Sequence, residues 1–307
     1  MMNGKPDLSV KIGQMTLKNP IIPASGTFGN GLEYMDFYDI NQLGAITVKG
    51  ITPNPKKGNS LPRIVETKSG MLNSVGLENP GIDVFIDEKL EKLKELEVPL
   101  IINISANTIE EYAEMARKLE LTFVDAIEIN VSCPNVSHGG IQFGTDPDMV
   151  YKVSKAVRDN FTRTIITKLS PNVTDIAIMA KSAEKAGVDA ISLINTLKGI
   201  AIDYKTRKPI LGNIIGGLSG PAIKPVALRM VYEVSQAVNI PIVGMGGVSN
   251  YEDALEFMIA GATAVSVGAM NFVNPMCCLE IINSIEKYMA EEGIDSVDEL
   301  IGGIIIE

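Results

Sequence analysis

The sequence is short of the residues that build metal centres and disulfide frameworks: three cysteines and one histidine in 307 residues. Two of the cysteines, Cys277 and Cys278, are adjacent, so neither a disulfide pattern nor a metal-ligand spacing can be read from them. Zinc or an iron–sulfur cluster normally takes about four ligands, a set that this chain does not supply; no metal is expected, and a reducing, cytoplasmic setting is. Positive charge is scarce as well. The formal net charge of -10 argues against nucleic acid or an anionic membrane surface as a partner. No uncharged apolar run reaches the roughly 18 residues of a membrane span, and the first seven residues lack the apolar core of a signal peptide. Linker-like, low-complexity and solenoid-type segments are missing too. The expectation is one domain over residues 1–307.

What is present is a hydrophobic fraction of 46%, arranged as short, nearly continuous apolar runs. They fall at 21–24, 45–49, 100–103, 126–130, 164–168, 190–194, 242–245 and 264–268, the pattern of parallel strands buried on both faces. Segments of helical periodicity alternate with them, at 83–96, 108–119, 146–157, 174–186, 221–238, 250–259 and 275–289. A less regular one lies near 32–40. Thr108-Ile-Glu-Glu111 and Thr174-Asp175 offer N-cap chemistry. Ahead of the series, 8–12 and 15–18 read as a β-hairpin across Gly13-Gln14. The alternation points to a (β/α)8 TIM barrel with an N-terminal hairpin closing its bottom; a doubly wound open sheet is the competitor. Most runs end in a polar residue or glycine: Ser25, Lys49, Asn103, Asn130, Lys168, Asn195, Gly246 and Gly268. In a barrel those ends share the C-terminal rim, where active sites are built. Long loops at 50–81 and 195–220, and a third after Asn130, are expected to wall or cover that mouth.

Glycines at 244, 246, 247 and 268, with 216, 217 and 220 ahead of a helix, suit a phosphate held by backbone N–H groups, although each alone is an ordinary turn residue. Lys49 and Lys168 end buried strands, a costly place for a charge without an anionic partner; snorkelling to solvent is the plain alternative. Asn103, Asn130 and Asn195 can grip amide or carboxylate edges, or merely close Asx turns. Cys133, in Asn130-Val-Ser-Cys133-Pro-Asn135-Val-Ser-His138, is the one nucleophile or base on the rim, with a thiol pKa near 8.5 before tuning. His138 lacks a carboxylate orienter and reads as structural or surface, and Cys277 and Cys278 read as packing residues.

The combination of Asn130-Val-Ser-Cys133-Pro-Asn135, Lys49-Gly50, Met71-Leu-Asn73-Ser-Val-Gly76-Leu77, Asn195-Thr196 and Gly217-Leu-Ser-Gly220-Pro221 resembles the dihydroorotate dehydrogenases over essentially the whole chain. The likeness is closest to the catalytic subunit of the class 1B, NAD-linked form. It implies an FMN-carrying barrel that oxidises (S)-dihydroorotate to orotate in pyrimidine synthesis. Matching residues imply FMN contacts at Ser25, Lys49, Gly50, Asn103, Asn130, Lys168, Ile194, Gly220, Gly246, Gly247, Gly268 and Ala269. They imply substrate contacts at Lys49, Asn73, Ser74, Val75, Gly76, Leu77, Asn130, Asn195 and Thr196. Cys133 is then the base that takes the C5 proton while hydride leaves C6 for flavin N5, and Lys49 supports developing negative charge. Position 269 carries Ala where relatives often have Thr, so backbone amides alone face the phosphate there. The resemblance further implies a homodimer core within a heterotetramer, whose second subunit carries FAD and a [2Fe–2S] cluster and reaches NAD. The fumarate-linked class 1A enzymes and the dihydropyrimidine dehydrogenase barrel are the near alternatives. From the residues alone, a Schiff-base lyase using Lys49 or Lys168 and a non-catalytic ligand-binding barrel also stand open.

Overall fold

The computed structural model describes residues 5–132 and 143–306. Each short apolar run forms a strand with little or no exposure on either face. In chain order these are β1 (Ile21–Pro23), β2 (Ile46–Ile51), β3 (Leu100–Ile104), β4 (Ala126–Asn130), β5 (Thr164–Lys168), β6 (Ala190–Leu193), β7 (Ile242–Met245) and β8 (Ala264–Val267). Every ladder between them is parallel, running β2-β3-β4-β5-β6-β7-β8-β1. At the remaining seam the Gly44 N–H donates to the Ile21 carbonyl at 3.0 Å. A Cβ on Gly44 would stand 2.1 Å from the Asn19 carbonyl oxygen, so only glycine lets the chain come this near β1. The expected (β/α)8 barrel is therefore the architecture, and the open doubly wound sheet is not.

Among the described residues six helices of nine or more residues pack outside: α1 (Ile109–Glu120), α2 (Pro147–Arg158), α3 (Ile176–Lys185), α4 (Lys224–Ser235), α5 (Tyr251–Ile259) and α6 (Cys277–Glu292). Their starts are chemically marked. Thr108 and Glu111 form a reciprocal capping box ahead of α1. Asp146 and Asp175 accept backbone N–H groups at α2 and α3, so the aspartate rather than Thr174 is the cap of α3. The segment expected as a helix over 83–96 is helical but irregular, passing from Ile82–Val84 through the π-turn Phe85–Lys89 to the 3-10 turn Leu90–Leu93. Near 32–40 only 3-10 turns form, at Leu32–Tyr34 and Ile40–Gln42, with extended backbone at Asp39 between them. The hairpin Val10–Ile12/Met15–Leu17 forms as expected, and Gln14 bonds Thr164 and Thr162 at the N-terminal end of β5.

The two long rim segments were expected as loops, and here the structure differs. They meet in one antiparallel sheet in the order Leu197–Ile200, Ile215–Ser219, Gly70–Asn73, Ile64–Thr67. Asn73 stands opposite Gly217, and Met71 opposite Ser219. The sheet thus ties the stretch after β2 to the stretch after β6, two parts of the rim that are distant in sequence. Gly70 and Gly220 make the join possible: a Cβ on Gly70 would fall 2.1 Å from Ser219 O, and one on Gly220 2.6 Å from Gly70 Cα.

Candidate active site

The C-terminal strand ends place the polar residues together. Lys168 Nζ lies 3.3 Å from Ser25 Oγ and 3.6 Å from Glu128 Oε2, with all three side chains buried. Asn103 Nδ2 donates to the same Glu128 oxygen at 2.5 Å, and Ser192 Oγ donates to Glu128 Oε1 at 2.8 Å. Asn130 Oδ1 accepts from Ser132 N at 3.1 Å and from Asn195 Nδ2 at 3.4 Å, while Tyr112 Oη donates to the Asn130 carbonyl at 2.7 Å. Asn195 in turn accepts from Thr196 N at 2.7 Å. Lys49 sits at an irregularity in the β2–β3 ladder, where the register shifts between Val48 and Ile51. Such bulges re-aim side chains beside active sites. Lys49 is half-buried and, among the described residues, has no ion-pair partner; the charge of Lys168 is matched by Glu128.

The accessory sheet brings the second half of the site to the same rim. A Cβ on Gly50 would lie 2.8 Å from Asn103 Oδ1 and 3.2 Å from Leu77 Cδ2, so the 73–77 stretch reaches over the strand-end cluster. That stretch is shaped by neighbours that the sequence did not single out. Asn59 bonds the Val75 and Ser74 carbonyls, through N–H and Nδ2, at 3.0 Å each. Asn79 accepts from Thr52 N and Gly81 N and donates to Thr52 Oγ1 and the Leu77 carbonyl. Its four bonds, in a buried setting, hold Leu77 at a positive φ of 54°. Asn79→Ala is expected to cost about 2–4 kcal/mol, seen as a lower Tm.

Asn172 fixes the other wall, donating to the Thr196 carbonyl at 3.0 Å and accepting from Lys198 N at 3.0 Å. Gly217 leaves room for Thr196, since a Cβ there would fall 1.9 Å from Thr196 Oγ1. Gly217→Ala must push that side chain aside, an overpacking cost of about 1–3 kcal/mol that should be seen as a lower Tm.

The glycine cluster forms at β7 and β8. Gly246 and Gly247 have φ of 131° and 81°. A Cβ on Gly246 would meet Ala227 at 2.7 Å and Ile194 at 3.2 Å; one on Gly247 would meet Gly220 O and Lys224 N at 2.9 Å. Gly268 differs: the one heavy atom near its virtual Cβ is Ala24 Cβ at 3.8 Å, so it opens space that the chain leaves unfilled. Ala269 precedes the short helix Met270–Val273. Lys224, beside this cradle, is occupied elsewhere: it pairs with Asp253 and, at 2.8 Å, with Glu256. Burial works against its charge, but these carboxylates outweigh it and raise its pKa. An anion in the cradle is thus left to backbone N–H groups.

Two of the expected residues, Cys133 and His138, lie outside the described residues. Cys277 and Cys278 are buried, as packing residues would be, with both thiols within 3.4 Å of Asn271 Oδ1. Burial also pushes the nearby Tyr34 phenol up to about 12. Among the described residues no group of three or more His, Cys, Asp or Glu is placed to hold a metal, and no helix is long and apolar enough to cross a membrane.

Comparison with known proteins agrees with this geometry. The family model described as dihydroorotate dehydrogenase matches residues 7–289. Three relatives carry the name dihydroorotate dehydrogenase B (NAD(+)), catalytic subunit. The one from Thermoanaerobacter pseudethanolicus is 55% identical over 301 residues, 98% of this chain and 100% of its own. That from Geotalea daltonii is 56% identical over 303 residues, covering 98% and 99%. That from Alkaliphilus oremlandii is 53% identical over 296 residues, covering 96% and 98%. With a family model spanning the barrel and full-length relatives above half identity, the chain belongs to the dihydroorotate dehydrogenase family.

Proposed function

We propose that residues 1–307 form a single FMN-binding barrel that oxidises (S)-dihydroorotate to orotate, as the catalytic subunit of an NAD-linked enzyme of the cytoplasm. The observation that carries the reading is the convergence of Lys49, Asn103, Asn130, Lys168 and Asn195 at one mouth, where Asn103 Oδ1 is buried and, among the described residues, has no hydrogen-bond partner. A buried acceptor left open is costly, and a flat ring with an N–H edge satisfies it. Residues and cofactor therefore fit. Ser25, Lys49, Gly50, Asn103, Asn130, Lys168 and Ile194 would hold the flavin ring, and Gly220, Gly246, Gly247, Gly268 and Ala269 its phosphate. FMN, when bound, supplies the two-electron acceptor for the substrate's hydride.

The chain's own residues do the rest. Asn73 to Leu77, with Asn195 and Thr196, grip the amide edges and carboxylate of the substrate, and Ser74 Oγ, buried and unpartnered, is one donor available for this. Asn130 steadies both the ring and the start of the loop that carries the base. Cys133 takes the C5 proton. Lys49, free of an internal counter-ion among the described residues, offers its charge to the substrate carboxylate and to the reacting edge.

Electrons then leave through a partner subunit carrying FAD and a [2Fe–2S] cluster, around a homodimer of this chain in a heterotetramer. Three cysteines are too few to ligate such a cluster here. Orotate formation is to be followed with dihydroorotate and either fumarate or NAD, with and without the partner. The reading expects NAD turnover with the partner alone. Efficient fumarate turnover by the lone chain would place it with the class 1A enzymes, and turnover of dihydrouracil but not dihydroorotate with the dihydropyrimidine dehydrogenases.

A further inference from the structure

Glu128 is a charge in the middle of the fully buried strand β4, 4% exposed. By the two-residue period of a strand it shares the inward face with Asn130, one step deeper in the barrel. In the β-ladders Asn103 stands opposite Glu128, and Lys168 stands opposite both Asn130 and Ser192. Its two oxygens collect three groups of the site's floor, Asn103 Nδ2 and Lys168 Nζ at Oε2 and Ser192 Oγ at Oε1, and Ser25 is joined through Lys168.

We infer that Glu128 is a positioning residue that sets the electrostatic level of the flavin site. Two consequences of the geometry carry this. By taking the Asn103 amide N–H at 2.5 Å, Glu128 decides which end of that side chain remains: Oδ1 is turned to the ligand as an acceptor. By pairing with Lys168 at 3.6 Å, it offsets most of the positive charge that Lys168 would otherwise present to the ring. A flavin accepting a hydride gains negative charge, so an uncompensated lysine would make it a stronger oxidant. Glu128 restrains this and leaves Lys49, at the reacting edge, as the uncompensated cation.

The inference rests on the FMN reading, and the test separates the two. The FMN-loaded full chain is titrated with sulfite, which adds to oxidised flavin and leaves the ring anionic, and its reduction potential is measured against a dye. Glu128→Gln keeps the shape and an acceptor for Asn103 but removes the charge. Its sulfite Kd should fall at least about tenfold, as expected for one unit charge several ångströms away, and its potential should rise. Lys168→Met should move both quantities the other way, and adding Glu128→Gln to it should bring them back. Glu128→Asp, which keeps the charge, should stay close to wild type. A merely structural role would not give opposite signs for Gln and Met. If Glu128→Gln does not retain flavin, the same change in the Lys168→Met background decides the matter. Sulfite affinity and potential indifferent to Glu128→Gln would overturn the inference while leaving the FMN reading intact. A wild-type chain that binds no FMN would overturn both.

Discussion

Cys133→Ser is expected to leave the flavin spectrum unchanged and to slow flavin reduction by dihydroorotate roughly 10²–10⁴-fold near neutral pH, the range that a positioned base contributes. A thiol with a starting pKa near 8.5 can be tuned to accept a proton at neutral pH, whereas a serine hydroxyl is a far weaker acid. The variant's rate should therefore keep rising with pH after the wild-type rate has levelled. Asn130 is the anchor for this chemistry on the described side of the loop. Its Oδ1 receives both Ser132 N–H and Asn195 Nδ2, so the end of β4 and the start of the stretch after β6 meet at one amide, three positions before Cys133. Stopped-flow bleaching of the flavin measures the effect; a wild-type rate in the variant would remove Cys133 from its role.

Gly247→Val should abolish FMN retention. At a φ of 81° a β-branched residue is strained before any contact is counted. Its Cβ would also press on backbone, on Gly220 O and Lys224 N at 2.9 Å, where no flexible side chain can give way. The loop must move, and with it the N–H groups proposed as phosphate donors; Lys224, held by Asp253 and Glu256, cannot substitute for them. Flavin affinity is expected to fall by at least about a hundredfold, equivalent to losing one or two charge-assisted hydrogen bonds. Gly302→Ala is the control. Its φ of 71° brings the same kind of backbone penalty, but nothing lies within 4 Å of its virtual Cβ, so flavin should be retained. Flavin content after gel filtration distinguishes the two.

The barrel was legible because buried parallel strands need uninterrupted apolar runs, and eight of them alternate with amphipathic segments. The polar strand ends were legible for the converse reason: Lys168 and Asn103 break the apolar character of their runs, and the structure keeps both buried against Glu128 where snorkelling or an Asx turn had been open. The accessory sheet was not legible. Ile215–Ser219 carries two glycines, and Leu197–Ile200 follows the substrate pair Asn195-Thr196 directly, so neither reads as a strand until its long-range partner is seen. Glu128 does leave a signal in the sequence, a charge in the middle of Ala126-Ile-Glu-Ile-Asn130, but it sits inside the strand and not at its polar end. Asn79 and Asn172 were hidden differently. An asparagine in a loop has the same sequence appearance whether it caps a turn or, as here, supports a ligand wall with both faces of its amide.

The most direct measurement is an anaerobic titration of the purified wild-type chain with (S)-dihydroorotate, followed at the flavin absorbance band. The account predicts stoichiometric bleaching with one orotate formed per flavin, and no bleaching by dihydrouracil. A chain that purifies without flavin, or whose flavin stays oxidised in excess dihydroorotate, would contradict it.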